Sequence, residues 1–315
     1  RRAVFMAGND NSHITEGTHN SVISDYFTPN GYTSDKLYEV SYGAGTQDVR
    51  DAFNDGRVMG VFSGHGSATS WADGPAFSQT DVRNLTNDNM QSLVFSFACV
   101  TGQFTYGECF GETWLRTAQG GIGFWGSSAN SYWDEDDILE KELFEGMYSA
   151  GQVWAGAGMA YGKQGLLAYY GDTGTVQRYF EMYNLMGCPA VNLYTEEAGD
   201  LSVSHSGAVA EGMPTFTVSG APAGSIVTLT QDGLLHGVAL SSGGTIVVPL
   251  EPAFSAGDVT LTVACHNYLP YQAVLPVSEG SDGIVALGRG AYTCGESVSV
   301  ILTDSDLEGA GTQHV

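Results

Sequence analysis

Two apolar runs in this chain each stop at one reactive side chain. Val58 to Ser63 leads through Gly64 to His65, and Leu93 to Ala98 leads to Cys99. Short apolar runs bounded by turn residues read as buried strands of a parallel sheet. Small residues follow both reactive groups: Gly66-Ser67 after the histidine and Val100-Thr101-Gly102 after the cysteine. In open α/β sheets ligands bind at the carboxyl edge of the strands. His65 and Cys99 can therefore meet at one edge, as a cysteine nucleophile and its histidine base must. Taken singly, a free cysteine is more often inert packing and a histidine among glycines a turn residue. The pair, at the ends of two such runs, favours catalysis.

The rest of residues 1–198 supplies the frame. Strands are expected at Val4 to Ala7, Leu37 to Tyr42, Val58 to Ser63, Leu93 to Ala98, Ile122 to Gly126 and Ala190 to Tyr194. Between them, helices are expected over 19–27, from a Thr46 cap through Phe53, from a Thr80 cap to Leu85, over 108–118, and as two or three segments within 136–186. Strands separated by helices mean a parallel sheet with covering helices. Asp10, His65, Cys99 and the loop from Ser127 to Trp133 each follow a strand and can share its edge. From about residue 199 the pattern changes to seven short β runs: Leu201–Ser204, Thr215–Ser219, Ile226–Thr230, Leu234–Leu240, Thr245–Leu250, Val259–Ala264 and Tyr271–Val277. Asp232-Gly233 is a hairpin signal. Residues 199–278 read as an immunoglobulin-like β-sandwich, and 279–315 as the start of a further β unit or a tail.

Charge removes some functions. Lys and Arg number 11 against 35 Asp and Glu, for a net charge of −24. Nucleic acid and anionic membrane surfaces both need a basic footprint, so neither is an expected partner. The acidity suits a secreted or surface-exposed protein and cationic substrates, although solvation alone also produces it. Five cysteines (99, 109, 188, 265 and 294), with no C-x-x-C pair, argue against a zinc site or a disulfide framework. No transmembrane run and no signal peptide are visible. Arg1-Arg2 directly ahead of an apolar strand is expected of a processed or truncated chain.

Several segments resemble one known family in order. They are Ser63-Gly64-His65-Gly66-Ser67, Ala72-Asp73, Ala98-Cys99-Val100-Thr101-Gly102, Cys109-Phe110-Gly111-Glu112 and Gly126-Ser127-Ser128-Ala129-Asn130-Ser131-Tyr132-Trp133, with Asp232-Gly233 and Asn267-Tyr268-Leu269-Pro270 in the second domain. From about residue 3 to 277 the sequence resembles the gingipain-type cysteine peptidases, and its motifs stand nearest the lysine-specific branch. The resemblance implies a caspase-like α/β catalytic domain, a parallel sheet flanked by helices, followed by an immunoglobulin-like sandwich. The amino-terminal subdomain that precedes this unit in the family is not in the sequence.

The resemblance also implies roles. Cys99 would be the nucleophile, His65 the base, and the backbone N–H groups of Gly66 and Cys99 the oxyanion donors. Asp10 falls where the family carries a carboxylate that orients the histidine; read on its own, it can also be an Asx turn or helix cap. Tyr132 and Trp133 resemble the wall and lid of the S1 pocket, and Asp136 falls where the lysine-specific branch has its pocket acid. Ser63 matches a small hydroxyl residue of that pocket. Glu16 falls near the S1 acid of the arginine-specific branch, and Phe97 replaces a polar pocket residue of the lysine-specific one. Basic P1 residues are expected, with Lys against Arg undecided. The four acids from Asp134 to Asp137 also suit a helix start, where most would be solvated. No cofactor is expected for the chemistry, no metal ligand is assigned, and structural calcium enters only through the resemblance.

The expected function is thus a secreted cysteine endopeptidase acting on protein or peptide substrates with basic P1 residues through a thioester. The alternatives are a sortase-like transpeptidase using the same thioester, and a catalytically silent surface-binding module of the same fold. Elsewhere the residues read blandly. Cys109 packs in its helix and Cys188 lies in core or turn. His13 and His19 are surface residues near the site, and His205, His236 and His266 are surface or turn residues of the sandwich. Trp114, Trp125 and Trp154 belong to the core.

Overall fold

In the computed structural model the described residues are 1–252 and 254–278, with two further strands at 284–287 and 300–303. The chain forms two compact units, Arg1–Glu197 and Ala198–Val315.

The first unit is built on six strands: β1 (Arg2–Ala7), β2 (Thr33–Tyr38), β3 (Met59–Ser63), β4 (Ser92–Phe97), β5 (Gly121–Ser127) and β6 (Tyr183–Gly187). Their order is β2-β1-β3-β4-β5-β6. All pairings are parallel except the last, where β6 runs antiparallel to β5. Side chains of a strand alternate between faces, and here both faces are buried. Ala3, Phe5, Val61, Phe95 and Trp125 point into one core, against α1 (Ser12–Val22), α4 (Trp133–Tyr148), α5 (Ala155–Tyr170) and α6 (Gly174–Met182). Val4, Met6, Phe62, Val94 and Phe124 point into the other, against α2 (Thr46–Asn54) and α3 (Phe110–Arg116). Each fully buried apolar side chain of this size contributes about 1.5–3 kcal/mol. The two cores fix the strands, and the strands fix where their exit loops begin.

The register sets those beginnings level. Ala7 of β1 pairs with Ser63 of β3, and Ser63 pairs with Phe97 of β4. Ser96 pairs with Gly126 of β5.

Local boundaries differ from the sequence reading in four places. The expected strand at 190–194 is not in the sheet. Its place is taken by β6, and residues 191–193 lie against the start of α5, with Ala155 N–H donating to Val191 O and Leu193 N–H to Val153 O. Val191 and Leu193 alternate as a strand would, but only Leu193 is buried. β2 is the polar edge strand Thr33–Tyr38, and the apolar-looking Glu39–Tyr42 is a helical turn. α1 begins at Ser12 and passes into a π-helical turn over Ile23–Phe27. The caps are also shifted: Asp48 accepts from Gly45 N–H at 2.8 Å, while Ser78 and Asp81 close a box over the short helix Gln79–Arg83. Trp154, expected in the core, is 42% exposed, because it stands at the α5 N-cap.

Basic side chains of this unit are tied down. Arg2 and Arg57 meet Asp55, Arg57 also meets Asp35, Arg50 meets Asp81, Arg83 and Arg116 meet Glu108, and Lys141 meets Asp137. Lys36 bonds Asn20, Lys163 donates to the carbonyls of Phe180 and Tyr183, and Arg178 bonds the Tyr132 hydroxyl.

The second unit is a two-sheet sandwich. Its main strands are β7 (Thr215–Ala221), β8 (Ile226–Gln231), β9 (Leu234–Leu240), β10 (Gly244–Pro249), β11 (Asp258–Ala264) and β12 (Tyr271–Ser278). β7 pairs β10 in one sheet, and β12-β11-β8-β9 form the other. Phe216, Val218 and Val248 from the first meet Val227, Leu229, Leu261 and Val263 from the second. Asp232 and Gly233 both take positive φ (51° and 79°), as a tight hairpin requires. The expected strand Leu201–Ser204 is absent; short pairs at 199–200, 204–205 and 209–210 replace it. His236, expected at the surface, is buried, with Nδ1 against Pro252 O and its ring stacked on Phe254. Of the segment 279–315, strands Ile284–Leu287 and Val300–Thr303 pair antiparallel. The remainder, including Cys294, lies outside the described residues.

Candidate active site

Four loops leave the carboxyl edge of the first unit's sheet and carry the candidate residues. After β1 the chain runs Gly8-Asn9-Asp10-Asn11, with Asn11 in the left-handed region at φ 49°. Asn11 is the N-cap of α1, so the cap reading of Asp10 does not hold. After β3, Gly64-His65-Gly66 turns into a small antiparallel meander of 66–67, 70–71 and 77–78, anchored by buried Trp71. After β4 comes Ala98-Cys99-Val100, in which Val100 sits at φ 53°. That conformation is uncommon for a β-branched residue and costs on the order of 1–3 kcal/mol. Two backbone bonds hold the turn against the loop after β5: Val100 N–H to Ala129 O at 3.0 Å and Gly102 N–H to Ser127 O at 2.8 Å.

Gly66 has a structural reason to be bare. A Cβ there would lie 2.5 Å from the carbonyl oxygen of Cys99, so the histidine loop and the cysteine turn approach each other backbone to backbone.

The loops after β3, β4 and β5 meet at one narrow cavity of about 60 Å³, lined by Gly64, His65, Cys99, Ser131, Tyr132, Trp133 and Asp136. His65 is exposed and its Nε2 stands 2.9 Å from Asp10 Oδ2. That hydrogen bond holds the Asp10 carboxyl below the usual carboxylate range. A carboxylate on Nε2 fixes the proton there and leaves the Nδ1 lone pair free. Trp133 packs its ring edge to face with His65, centroids 5.2 Å apart. The Cys99 thiol donates to Ser131 O at 3.6 Å.

Asp136 sits in the first turn of α4 and is 5% exposed. Three hydroxyls donate to it: Tyr183 at 2.6 Å, Tyr179 at 3.0 Å and Ser131 at 2.7 Å. Burial nevertheless pushes its carboxyl up to about 7, the three hydroxyl bonds opposing that rise. Both tyrosine hydroxyls are in turn pushed well up by burial and by the nearby carboxyl. A buried carboxyl near neutrality in a cleft beside a thiol and an imidazole is an arrangement for recognising or moving charge.

Known proteins resemble the chain over both units. Peptidase family C25 matches residues 1–194. The chain belongs to peptidase family C25. The family's C-terminal ig-like domain matches residues 204–278. Lys-gingipain of Porphyromonas gingivalis is 28% identical over 95% of this chain and 19% of its own length. Gingipain R2 of the same organism is 27% identical over 92% of this chain and 40% of its own length. The chain thus spans less than half of these curated relatives. The crystal structure of the Arg specific cysteine proteinase gingipain R matches with a TM-score of 0.77 and 24% identity, over 88% of this chain and 67% of that one. The fold is that of the gingipains: a caspase-like α/β domain with an immunoglobulin-like domain behind it.

Within this C25 chain, two of the expected pocket residues lie elsewhere. Glu16 is buried on α1, where its carboxylate takes the N–H and hydroxyl of Ser41, and it does not line the cavity. The helix turns it toward Ser41, just past β2. Ser63 is the last residue of β3, 3% exposed and outside the cavity lining. Phe97 is core, packed on Trp125 and Tyr183. His19, expected at the surface, is fully buried: Nδ1 lies 2.7 Å from Glu140 Oε1 and Nε2 3.0 Å from Met6 O. His13 is exposed, and Cys188 is exposed just past β6. Cys109 is buried at the N-cap of α3, its thiol pushed up by burial.

Sequence reasoning missed Ser131, Tyr179 and Tyr183. Tyr179 lies in the last turn of α6 and Tyr183 opens β6, and no periodicity in the sequence joins the two. Among the described residues, no three His, Cys, Asp or Glu side chains come together to hold a metal. No step below draws on a metal. Also among the described residues, no helix is long and apolar enough to cross a membrane.

Proposed function

We propose that this C25 chain carries the catalytic unit of a secreted cysteine endopeptidase that cleaves peptide bonds after lysine or arginine. The observation that carries the reading is the shared cavity. The thiol of Cys99, the Asp10-paired imidazole of His65 and the buried carboxyl of Asp136 all open onto it.

The chemistry follows from the groups. An ordinary thiol titrates near 8.5, so little of it is thiolate at neutral pH. His65 Nδ1 takes the Cys99 proton, and the imidazolium is held by Asp10 on Nε2. The thiolate sulfur attacks the peptide carbonyl carbon, and the oxyanion formed is met by the backbone N–H groups of Gly66 and Cys99. As the tetrahedral species collapses, the C–N bond breaks and His65 gives its proton to the leaving amine. Water, deprotonated by His65, then hydrolyses the thioester and restores the thiol. Asp136 pairs with the P1 cation, and Tyr132 and Trp133 offer ring faces to it. Lys-gingipain and gingipain R support basic P1 specificity by name; the acidity of the chain supports a secreted or surface-exposed setting.

Release of a fluorophore from short peptides with Lys, Arg, Asp, Gly or Leu at P1, with Cys99→Ala in parallel, tests this. Turnover restricted to Lys or Arg and abolished in the variant is expected. Cleavage after Asp or Gly would falsify the role given to Asp136. An acyl product found only when an amine is added would point to transpeptidation, and an unreactive Cys99 to a silent module.

A further inference from the structure

Asp73 is absent from the chemistry above, yet it touches both loops that carry the histidine and its carboxylate. Its Oδ1 accepts the backbone N–H of His65 at 2.6 Å. The backbone N–H of Asp10 faces the same carboxyl, while Oδ2 is buried with no hydrogen-bond partner. Two glycines make room for it. A Cβ on Gly8 would lie 2.0 Å from Asp73 Oδ2, and one on Gly64 would lie 2.7 Å from Asp73 Oδ1. The carboxyl thus fills a slot between the exit of β1 and the exit of β3, where only bare backbone fits around it. Opposite it the chain turns at Gly74, against which the Glu39 side chain packs. His65 and Asp10 are the titratable residues that act on it, His65 through its charge and backbone N–H and Asp10 through its backbone N–H.

A buried polar oxygen left without a partner is unfavourable for folding, and such atoms in native proteins call for an explanation. Here the explanation is geometric. His65 and Asp10 come from two strands and are both exposed at their tips. Nothing in their own side-chain bond fixes the height of one loop against the other. A carboxyl wedged between the two backbones does.

We propose that Asp73 is a positioning residue that locks the backbones of the Asp10 and His65 loops together and so keeps the imidazole aimed at Cys99. This rests on the reading of Cys99, His65 and Asp10 as a catalytic set. The role belongs to the hydrogen bond from His65 N–H, so asparagine at this position keeps it and alanine loses it.

The test is the pH dependence of Cys99 alkylation by iodoacetamide in the full chain, followed by mass spectrometry of the modified peptides. Exposed Cys188 in the same molecule serves as the ordinary thiol. In the parent, Cys99 is expected to react at least tenfold faster than Cys188 at pH 6.5, through its imidazolium-paired thiolate. Asp73→Ala is expected to move the Cys99 profile toward that of Cys188, and Asp73→Asn to restore it to within about threefold of the parent. Gly8→Ala, which displaces the carboxyl from the opposite side, is expected to act as Asp73→Ala does and serves if that variant does not fold. A Cys99 profile unchanged in both alanine variants overturns the proposal, and so does an asparagine variant no better than alanine. If Cys99 and Cys188 already react alike in the parent, the catalytic set itself fails and the inference with it.

Discussion

Asp136 faces two opposed demands. Binding a cationic side chain needs its carboxylate ionised, while burial favours the proton and holds the carboxyl near 7 against 3.8 in water. Between about pH 4 and 7 the folded chain keeps a proton that the unfolded chain has lost. The stability this group contributes is therefore complete below about pH 4 and is lost as pH rises through 7. Asp136→Asn removes that loss, so at pH 8 it should unfold at higher urea than the parent, by up to ~4 kcal/mol, and at pH 4 at nearly the same concentration. Activity should go the other way. In the parent, kcat/KM for a lysine substrate should fall about tenfold per unit below pH 7. In Asp136→Asn it should be low and lack that limb. A variant that keeps full lysine turnover removes Asp136 from P1 recognition. Cys99 and His65 were legible as residues because each follows an apolar run, whereas Asp136, third in a run of four acids, was picked out only by the family resemblance. Glu16 was misplaced because similarity across a loop says nothing of which way a helix side chain faces. The tyrosine hydroxyls on Asp136 were not legible, since aromatic residues at a helix end look the same whether they fill a core or solvate an acid.

At the scale of elements, one buried pair joins the loop-bearing strand to the helix that carries Trp133 and Asp136. His19 on α1 donates Nε2–H to Met6 O of β1, and its Nδ1 faces Glu140 of α4, with both side chains essentially inaccessible. With one nitrogen committed as donor, a proton must lie between the other and the carboxyl, and burial raises the Glu140 carboxyl in keeping with sharing it. Glu140→Gln can supply that proton from its amide, so it should stay within about 1.5 kcal/mol of the parent. Glu140→Ala strips the partner and leaves Nδ1 buried, at a cost of about 3 kcal/mol or more. Urea unfolding of the two variants decides this; equal losses would mean that packing, and not the proton, matters here. The elements themselves were largely legible. Buried strands announce themselves as apolar runs, whereas β2, at the sheet edge, has no such run and was read too late in the chain. β6 follows α6 without a break, so its residues looked like more helix.

For the whole molecule, the division into an α/β unit and a sandwich was legible in the change of periodicity near residue 199, and the first compact unit ends at Glu197. Which basic residues are tied to which acids was not legible, because ion pairs join residues distant in sequence. That pattern bears on how such a protein survives its own company. From residue 179 to residue 288 the chain contains no lysine or arginine, so the described sandwich offers no bond of the proposed kind to attack. In the first unit, Arg57 is buried and Arg50, Arg83 and Lys141 are clasped by carboxylates. A peptide bond must be drawn out as extended chain to enter a cleft as narrow as this one, and each clasp resists that. Concentrated active protein held for hours should keep residues 179–288 uncut and the bonds after Arg50, Arg57, Arg83 and Lys141 intact by mass spectrometry. Longevity in a crowd of identical proteases would then be written into where the positive charges are, and are not, placed.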